Sequence, residues 1–375
     1  MSSTMNPCDF APDYIRGIAP YQPGKPIAEL AREMGLNEAD IVKLASNENP
    51  LGISPKARIA IDAAIDELAL YPDGNGFELK SAIAQKLDVA LNQIVLGNGS
   101  NDVLELVARA FLAPGASAVY SQHAFAVYPL ATQATGAAGI EVPALNFGHD
   151  LVAMRAAIRA DTRVVFIANP NNPTGTLLGT AELYAFLKSV PQQVVVVLDE
   201  AYGEFLDADL QAPAVAWVAE FPNLVLTRTF SKAYGLAGLR VGFALAQAEL
   251  AGMLNRVRQP FNVNSLALCA AAAALNDADF IAESKRVNDA GMAQLTQGVQ
   301  AMGLEFIPSF GNFVCVKVAV SGHRAAQVFQ ELLQRGVIVR PVGNYGMPDY
   351  LRVSIGLPAQ NARFLTALAE ILDRA

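Results

Sequence analysis

Between about residues 90 and 270 the chain alternates short, continuous apolar runs with segments of helical spacing. The runs are QIVLG (93–97), SAVYS (117–121), TRVVFIANP (162–170), QVVVVLDEAY (193–202), NLVLTRTF (223–230) and VGFALA (241–246). Continuous rather than alternating apolar residues suit strands buried on both faces, and with segments such as TAELYAFLKSV (180–190) between them they predict an α/β unit with a mostly parallel sheet. After residue 275 the pattern changes. Helical stretches (282–303, 324–336, 361–375) interleave with the short strands NFVCVKVAV (312–320), VIVRPV (337–342) and YLRVSIG (350–356), the mixture of a smaller α+β unit. The Pro/Gly-rich APYQPGKP (19–26) reads as an extended arm. The expected division is therefore residues 1–45 as arm and part of the small domain, 46–275 as the large domain, and 276–375 as the small C-terminal domain.

Composition narrows the function without choosing it. A chain of 375 residues is long enough for two cores. A formal net charge of −8 without a Lys/Arg cluster argues against nucleic-acid and membrane-surface partners. The longest apolar run, LALCAAAAAL (266–275), is half of what a membrane span needs and reads as a buried helix. The start, MSSTMNPCDFAPDYIRG, lacks the basic-then-apolar order of a secretion signal, so the cytoplasm is the expected location. Three cysteines and three histidines at wide spacings form neither a disulfide framework nor a common zinc pattern.

The chemistry gathers where the apolar runs stop. In open α/β sheets ligands collect at the carboxyl ends of the strands, so the residues that follow each run carry the information. After QIVL comes GNGSND (97–102), a helix start in which Ser100 and Asn101 serve either as ordinary caps or as an anion site. It fails as a dinucleotide fingerprint, because Asp102 stands at the place of the third glycine. After TRVVFIA comes NPNNPTG (169–175), a turn whose asparagines offer hydrogen bonds. QVVVVL is followed by DEAY, which puts Asp199 at the mouth of a buried strand, where a carboxylate needs a donor or a cation. The last run leads into TFSKAYGLAGLR (229–240), with Thr229, Ser231, Lys232 and Arg240. A lone lysine ordinarily keeps its ammonium in water. Taken with the other three strand ends, it forms part of a set that one cofactor would use completely. Pyridoxal phosphate needs an amine to condense with its aldehyde, a carboxylate for its pyridine nitrogen, a donor for its ring hydroxyl and an anion site for its phosphate.

On NPNNPTG, VVVVLDEAYGEF (194–205) and TFSKAYGLAGLRVG (229–242), in that order and spacing, the sequence resembles the fold-type I, aspartate-aminotransferase-like pyridoxal-phosphate enzymes. The resemblance implies that Lys232 carries the cofactor, that Asp199 faces its ring nitrogen, and that Asn172 and Tyr202 meet its ring hydroxyl. It also implies that Thr229, Ser231 and Arg240, with Ser100 and Asn101, cup its phosphate. Phe125 in HAFAVYPL falls where this superfamily stacks an aromatic ring on the cofactor, often a tyrosine; a core role is the alternative. Tyr71 in LYPDGNG matches a tyrosine that reaches the phosphate of the neighbouring subunit's cofactor, which implies a homodimer.

The stretches APYQPGKPIAELAREMG (19–35), KLASNENPLGISP (43–55), YPDGNGFELKSAIA (71–84) and LRVSIG (351–356) are similar to histidinol-phosphate aminotransferases. The activity implied is amino exchange between histidinol phosphate plus 2-oxoglutarate and imidazole-acetol phosphate plus glutamate. Arg352 then matches the superfamily arginine that grips the substrate carboxylate and, in this family, would also meet the substrate phosphate, and Tyr21 and Arg340 match positions near that phosphate. Alternatives are an aminotransferase for phenylalanine or tyrosine, a threonine-phosphate decarboxylase and, from other classes, a nicotinamide dehydrogenase or a non-catalytic regulator. The dehydrogenase leaves Lys232, Asp199 and Asn172 without a joint purpose, and the segment before the arm is too short for an added DNA-binding unit.

Overall fold

The computed structural model describes residues 6–320 and 322–373, so the first five residues of the N-terminal segment lie outside it. Its strands, in chain order, are β1 (Val42–Lys43), β2 (Ile94–Gly97), β3 (Ser117–Ser121), β4 (Ala138–Val142), β5 (Thr162–Ala168), β6 (Val195–Asp199), β7 (Leu224–Thr229) and β8 (Gly242–Leu245), then β9 (Phe306–Ile307), β10 (Phe313–Lys317), β11 (Val337–Ile338), β12 (Arg340–Pro341) and β13 (Tyr350–Ser354). Seven of them form the large sheet, in the order β2-β8-β7-β6-β5-β3-β4. Neighbours are parallel except at β8, which runs antiparallel to both β7 and β2. Two reversals cancel, so β2 points the same way as β5, β6 and β7. The carboxyl ends of all four therefore open at one edge of the sheet.

Strand β6 shows why the apolar runs are continuous. Val195 and Val197 enter the cluster on one face, packed on the helices Ser100–Phe111 and Val127–Ala134, while Val196 and Leu198 enter the cluster on the other. Successive side chains alternate between faces, so a strand covered on both sides has no polar position to spare. Strand β4 departs from this: AGIEV is an edge strand whose side chains stay largely exposed, and it gives no apolar run.

The second sheet, β12-β13-β10-β9, is antiparallel and rests on the long helix Ala278–Ala301 and the helix Pro358–Leu372. Val42 and Lys43 of β1 pair in parallel with β11 beside it. The helix Ile27–Met34 buries Leu30 and Ala31 against Leu333 and Ile338. Residues 20–26 have no regular structure, and the helix Ser265–Leu275 is packed on Pro55–Ala64. Among the described residues no single helix is long and apolar enough to cross a membrane.

Candidate active site

A cavity of about 240 Å³ lies between the carboxyl edge of the large sheet and the β12–β13 ribbon. It brings together thirteen of the residues singled out in the sequence; the exception is Tyr71, which is 84 % exposed and stacks on Phe261 with ring centroids 5.0 Å apart.

Asp199 ends β6 with 5 % of its surface exposed. Among the described residues no cation forms a salt bridge with it. Instead Tyr128 donates its hydroxyl to Oδ2 at 2.9 Å and Thr227, from the adjacent strand, donates to Oδ1 at 2.9 Å. Burial raises its pKa, and these two hydrogen bonds oppose the rise. A buried carboxylate braced by two neutral donors keeps room for a partner that brings a proton or a charge.

Lys232 follows β7. Its Nζ donates to the Ser46 carbonyl at 3.1 Å. Burial, then the charges of Arg352 and Arg240, lower its pKa to about 7, against the opposite pull of Glu48 and Asp199. A large fraction of neutral amine is thus present at neutral pH, which a nucleophilic lysine needs.

The anion cup forms at the GNGS loop. The helix Ser100–Phe111 begins after Gly99 with no side-chain cap; the Asp102 N–H donates to the Gly99 carbonyl at 3.2 Å, and the N–H groups of Ser100 and Asn101 stay open at the helix start. Asp102 braces the loop from behind, accepting from the Asn98 N–H at 2.9 Å and from Asn262 Nδ2 at 2.7 Å. Two glycines are obligatory here. A Cβ on Gly99, whose φ is +81°, would lie 2.4 Å from Nη2 of Arg240, and one on Gly242 would lie 2.4 Å from the Ser100 backbone nitrogen. Arg240 donates to Ser231 Oγ at 3.3 Å and holds a left-handed backbone, φ 58°, a conformation that costs a non-glycine residue of order 1 kcal/mol and is retained mostly where a side chain must be aimed.

The asparagine turn divides its work. Asn169 and Asn171 brace it, through Leu178, Thr174 and the His123 carbonyl, whereas Asn172 faces the cavity. Asn172 Nδ2 and Asn47 Nδ2 both donate to the Tyr202 hydroxyl, at 3.0 and 2.9 Å. Burial pushes that phenol up to about 12.

Arg340 and Arg352 are directly opposite across the β12–β13 pair, 7 % and 6 % exposed. Like charges so placed repel each other. Arg352 donates to Asn172 Oδ1 at 2.6 Å and to the Ala45 carbonyl at 2.9 Å, while its buried Nε has no partner. Arg340 donates to the Gln22 carbonyl at 2.6 Å, under the Tyr21 ring at 5.5 Å. Among the described residues neither meets a carboxylate. The pair forms a cationic wall opposite Lys232.

A reactive amine, a braced carboxylate and an anion cup on this sheet agree with what sequence comparison finds: the sequence model of the family Aminotransferase class I and II matches residues 39–368. The chain belongs to the class I and II aminotransferases. Histidinol-phosphate aminotransferase of Methylobacillus flagellatus is 63 % identical over 97 % of this chain and 98 % of its own length. Histidinol-phosphate aminotransferase 1 of Thiobacillus denitrificans is 61 % identical over 99 % and 97 %. Among solved structures, histidinol-phosphate aminotransferase from Sinorhizobium meliloti in complex with pyridoxal-5′-phosphate superimposes with a TM-score of 0.87 at 27 % identity, covering 96 % of this chain and 97 % of that one.

For an aminotransferase, the residues present fit a phosphorylated pyridine aldehyde: the glycine-lined cup would take the phosphate, and Asp199, which has no cationic partner among the described residues, would take the ring nitrogen. Sequence reasoning missed several members of this site. Tyr128 and Thr227 hold Asp199, Asn47 holds Tyr202, and Tyr345 closes the cavity beside the arginines.

Proposed function

We propose that this aminotransferase exchanges an amino group between histidinol phosphate and 2-oxoglutarate, giving imidazole-acetol phosphate and glutamate, with pyridoxal 5′-phosphate as cofactor. The observation that carries the substrate is the pair Arg340 and Arg352, two buried guanidiniums side by side with no carboxylate between them, a wall suited to a doubly charged phosphate. The names of the relatives at about 60 % identity support the same reading.

Pyridoxal phosphate supplies an aldehyde and an electron-withdrawing ring. Thr229, Ser231, Arg240 and the helix start at Ser100 and Asn101 hold its phosphate, Asn172 and Tyr202 its ring hydroxyl, Asp199 its ring nitrogen, and Phe125 one face. The Lys232 Nζ would take up the proton that leaves the amine-bearing carbon of the substrate, a task for which a pKa near 7 is suited. The arginines orient that carbon from the far end, and the buried wall around Tyr202 keeps water from the proton. The large domain, 46–275, thus carries the cofactor, and residues 1–45 and 276–375 carry the substrate contacts Tyr21, Arg340 and Arg352.

Tyr71 acts in a homodimer. It stands outside its own cavity on an exposed apolar surface with Leu68, Leu70 and Phe77, which a second copy covers while Tyr71 reaches the neighbouring phosphate cup. Three free thiols, Cys8, Cys269 and Cys315, suit a reducing compartment such as the cytoplasm.

The test is the near-ultraviolet and visible spectrum of cofactor-supplied protein before and after histidinol phosphate is added without an oxo acid. Loss of the band of the lysine-bound cofactor supports both cofactor and amino donor. A band that responds to phenylalanine instead moves the substrate to the aromatic amino acids, and no band, in wild type as in Lys232→Ala, removes Lys232 from its role.

A further inference from the structure

The segment between the two arginines, residues 341–351, contains one side chain that turns back into the cavity. Gly343–Tyr345 forms a single 3-10 turn, closed by the Tyr345 N–H donating to the Val342 carbonyl at 3.0 Å, and Gly346 leaves it with φ +76°. Tyr345 is 7 % exposed and lines the cavity with Tyr21, Arg340 and Arg352. Burial raises the pKa of its phenol; the charges of Arg352 and, more weakly, Arg340, with a hydrogen-bonding contribution from Arg340, act against that rise, so both guanidiniums lie near its oxygen. The phenol keeps its proton at neutral pH and has a hydrogen bond to give.

The turn is held from the other side of the cleft. His123 Nδ1 lies 2.6 Å from the Tyr345 carbonyl oxygen. A carbonyl only accepts, so Nδ1 carries the proton and donates. The ring is flanked in that pose: it stacks on Phe147 with centroids 5.9 Å apart and lies against the backbone of Gly346. The His123 carbonyl accepts from Asn171 Nδ2 at 2.9 Å, which ties it to the asparagine turn. One hydrogen bond thus links the floor of the cofactor side to the turn that presents Tyr345.

A phosphate monoester offers three terminal oxygens, whereas a carboxylate offers two. Part of the donor capacity of both arginines is already engaged, in Arg352 by Asn172 and Ala45 and in Arg340 by Gln22. A third donor beside them matters more to a phosphate than to a carboxylate. We propose that Tyr345 donates its hydroxyl to the substrate phosphate, making it a specificity residue for the phosphorylated substrate, and that His123 is the positioning residue that seats it. This rests on the reading of histidinol phosphate as substrate.

The test compares the histidinol phosphate and glutamate half-reactions, followed by cofactor absorbance, in wild type, Tyr345→Phe, His123→Phe, His123→Asn and the double phenylalanine variant. One hydrogen bond to a charged group corresponds to about tenfold or more in affinity. Tyr345→Phe is expected to lose about tenfold in kcat/KM with histidinol phosphate, carried by KM, and less than threefold with glutamate. His123→Phe, which keeps a ring and loses the donor, shows the same substrate-selective loss, and the double variant is no worse than Tyr345→Phe alone. His123→Asn, whose amide nitrogen falls near the place of Nδ1, regains most of the loss. Inorganic phosphate as an inhibitor of the glutamate half-reaction weakens about tenfold in Tyr345→Phe. Equal losses with both substrates, additive losses in the double variant, or inhibition by phosphate that does not weaken would overturn the proposal. A wild type that reacts with glutamate and never with histidinol phosphate overturns the substrate reading and takes the Tyr345 assignment with it.

Discussion

Replacing Lys232 with methionine should stabilise the cofactor-free protein by an amount that depends on pH. The Lys232 ammonium has its pKa lowered from 10.5 to about 7, by burial first and by Arg352 and Arg240 next. In the unfolded chain the same lysine titrates at its ordinary value. Below pH 7 both states are protonated and the full cost of burying the charge stands. The distance from 10.5 to about 7, at about 1.4 kcal/mol per pH unit, puts that cost on the order of 5 kcal/mol. Between pH 7 and 10.5 the unfolded chain binds a proton that the folded one does not, so the wild type gains about 1.4 kcal/mol of stability with each unit of rising pH. Above 10.5 neither state is protonated and the cost is gone. Methionine fills a similar volume and does not titrate. Urea unfolding of both cofactor-free proteins at pH 6, 7.5 and 9 gives the difference, in which the groups that do not interact with Lys232 cancel. The variant should be the more stable by several kcal/mol at pH 6, with the gap shrinking by about 2 kcal/mol between pH 7.5 and 9. A gap that stays constant with pH would refute the depressed amine.

Three further substitutions probe the rest of the site. Gly242→Ala puts a methyl 2.4 Å from the Ser100 nitrogen and 2.9 Å from the Arg228 carbonyl, both backbone, so the helix start must move; cofactor affinity, read by fluorescence titration, should fall at least about tenfold, with about 1–3 kcal/mol lost in stability. Asp199→Asn keeps an acceptor for Tyr128 or Thr227 and removes the charge; kcat should fall about 100- to 1,000-fold while cofactor still binds. Mixing Lys232→Ala with Tyr71→Ala chains should restore activity toward about a quarter of wild type, because half of randomly formed dimers carry one intact site; no recovery would mean that Tyr71 does not serve a neighbouring site.

How much of this could be read from the sequence follows from how local each signal is. Strands β5, β6 and β7 were legible because both their faces are buried, and Lys232 and Asp199 because they stand where those runs stop. Strand β4 was not, since an exposed edge strand is under no pressure to be apolar. The partners of the chemical groups were hidden for a different reason. Tyr128 meets Asp199 across 71 positions and Asn47 meets Tyr202 across 155. Such pairs are created by sheet order and by the docking of two domains, and neither leaves a spacing in the chain. Tyr345 was within reach of notice, because the Gly/Pro-rich gap between the arginines was visible; that its turn faces inward depends on His123, more than two hundred residues away.

The same long-range contacts explain why binding at one end of the cleft should be felt at the other. Arg352 stacks on Phe313 at 5.2 Å, and Phe313 meets the Tyr202 ring edge-on at 5.2 Å. Arg352 also donates to Asn172, whose amide nitrogen donates to the Tyr202 hydroxyl. Asn47, the other donor to Tyr202, is tied to the small sheet through Ser354 and Asn312. These routes from the anion wall to the ring-hydroxyl partners run through buried Tyr202, Phe313 and Asn47 and half-buried Asn172. A shift of the β12–β13 ribbon by an ångström would stretch the hydrogen bonds around Tyr202 along with those of Arg352. An anion that neutralises the two opposed guanidiniums removes the repulsion that favours such a shift. Substrate charge and alignment of the reacting centre are therefore coupled through the packing itself.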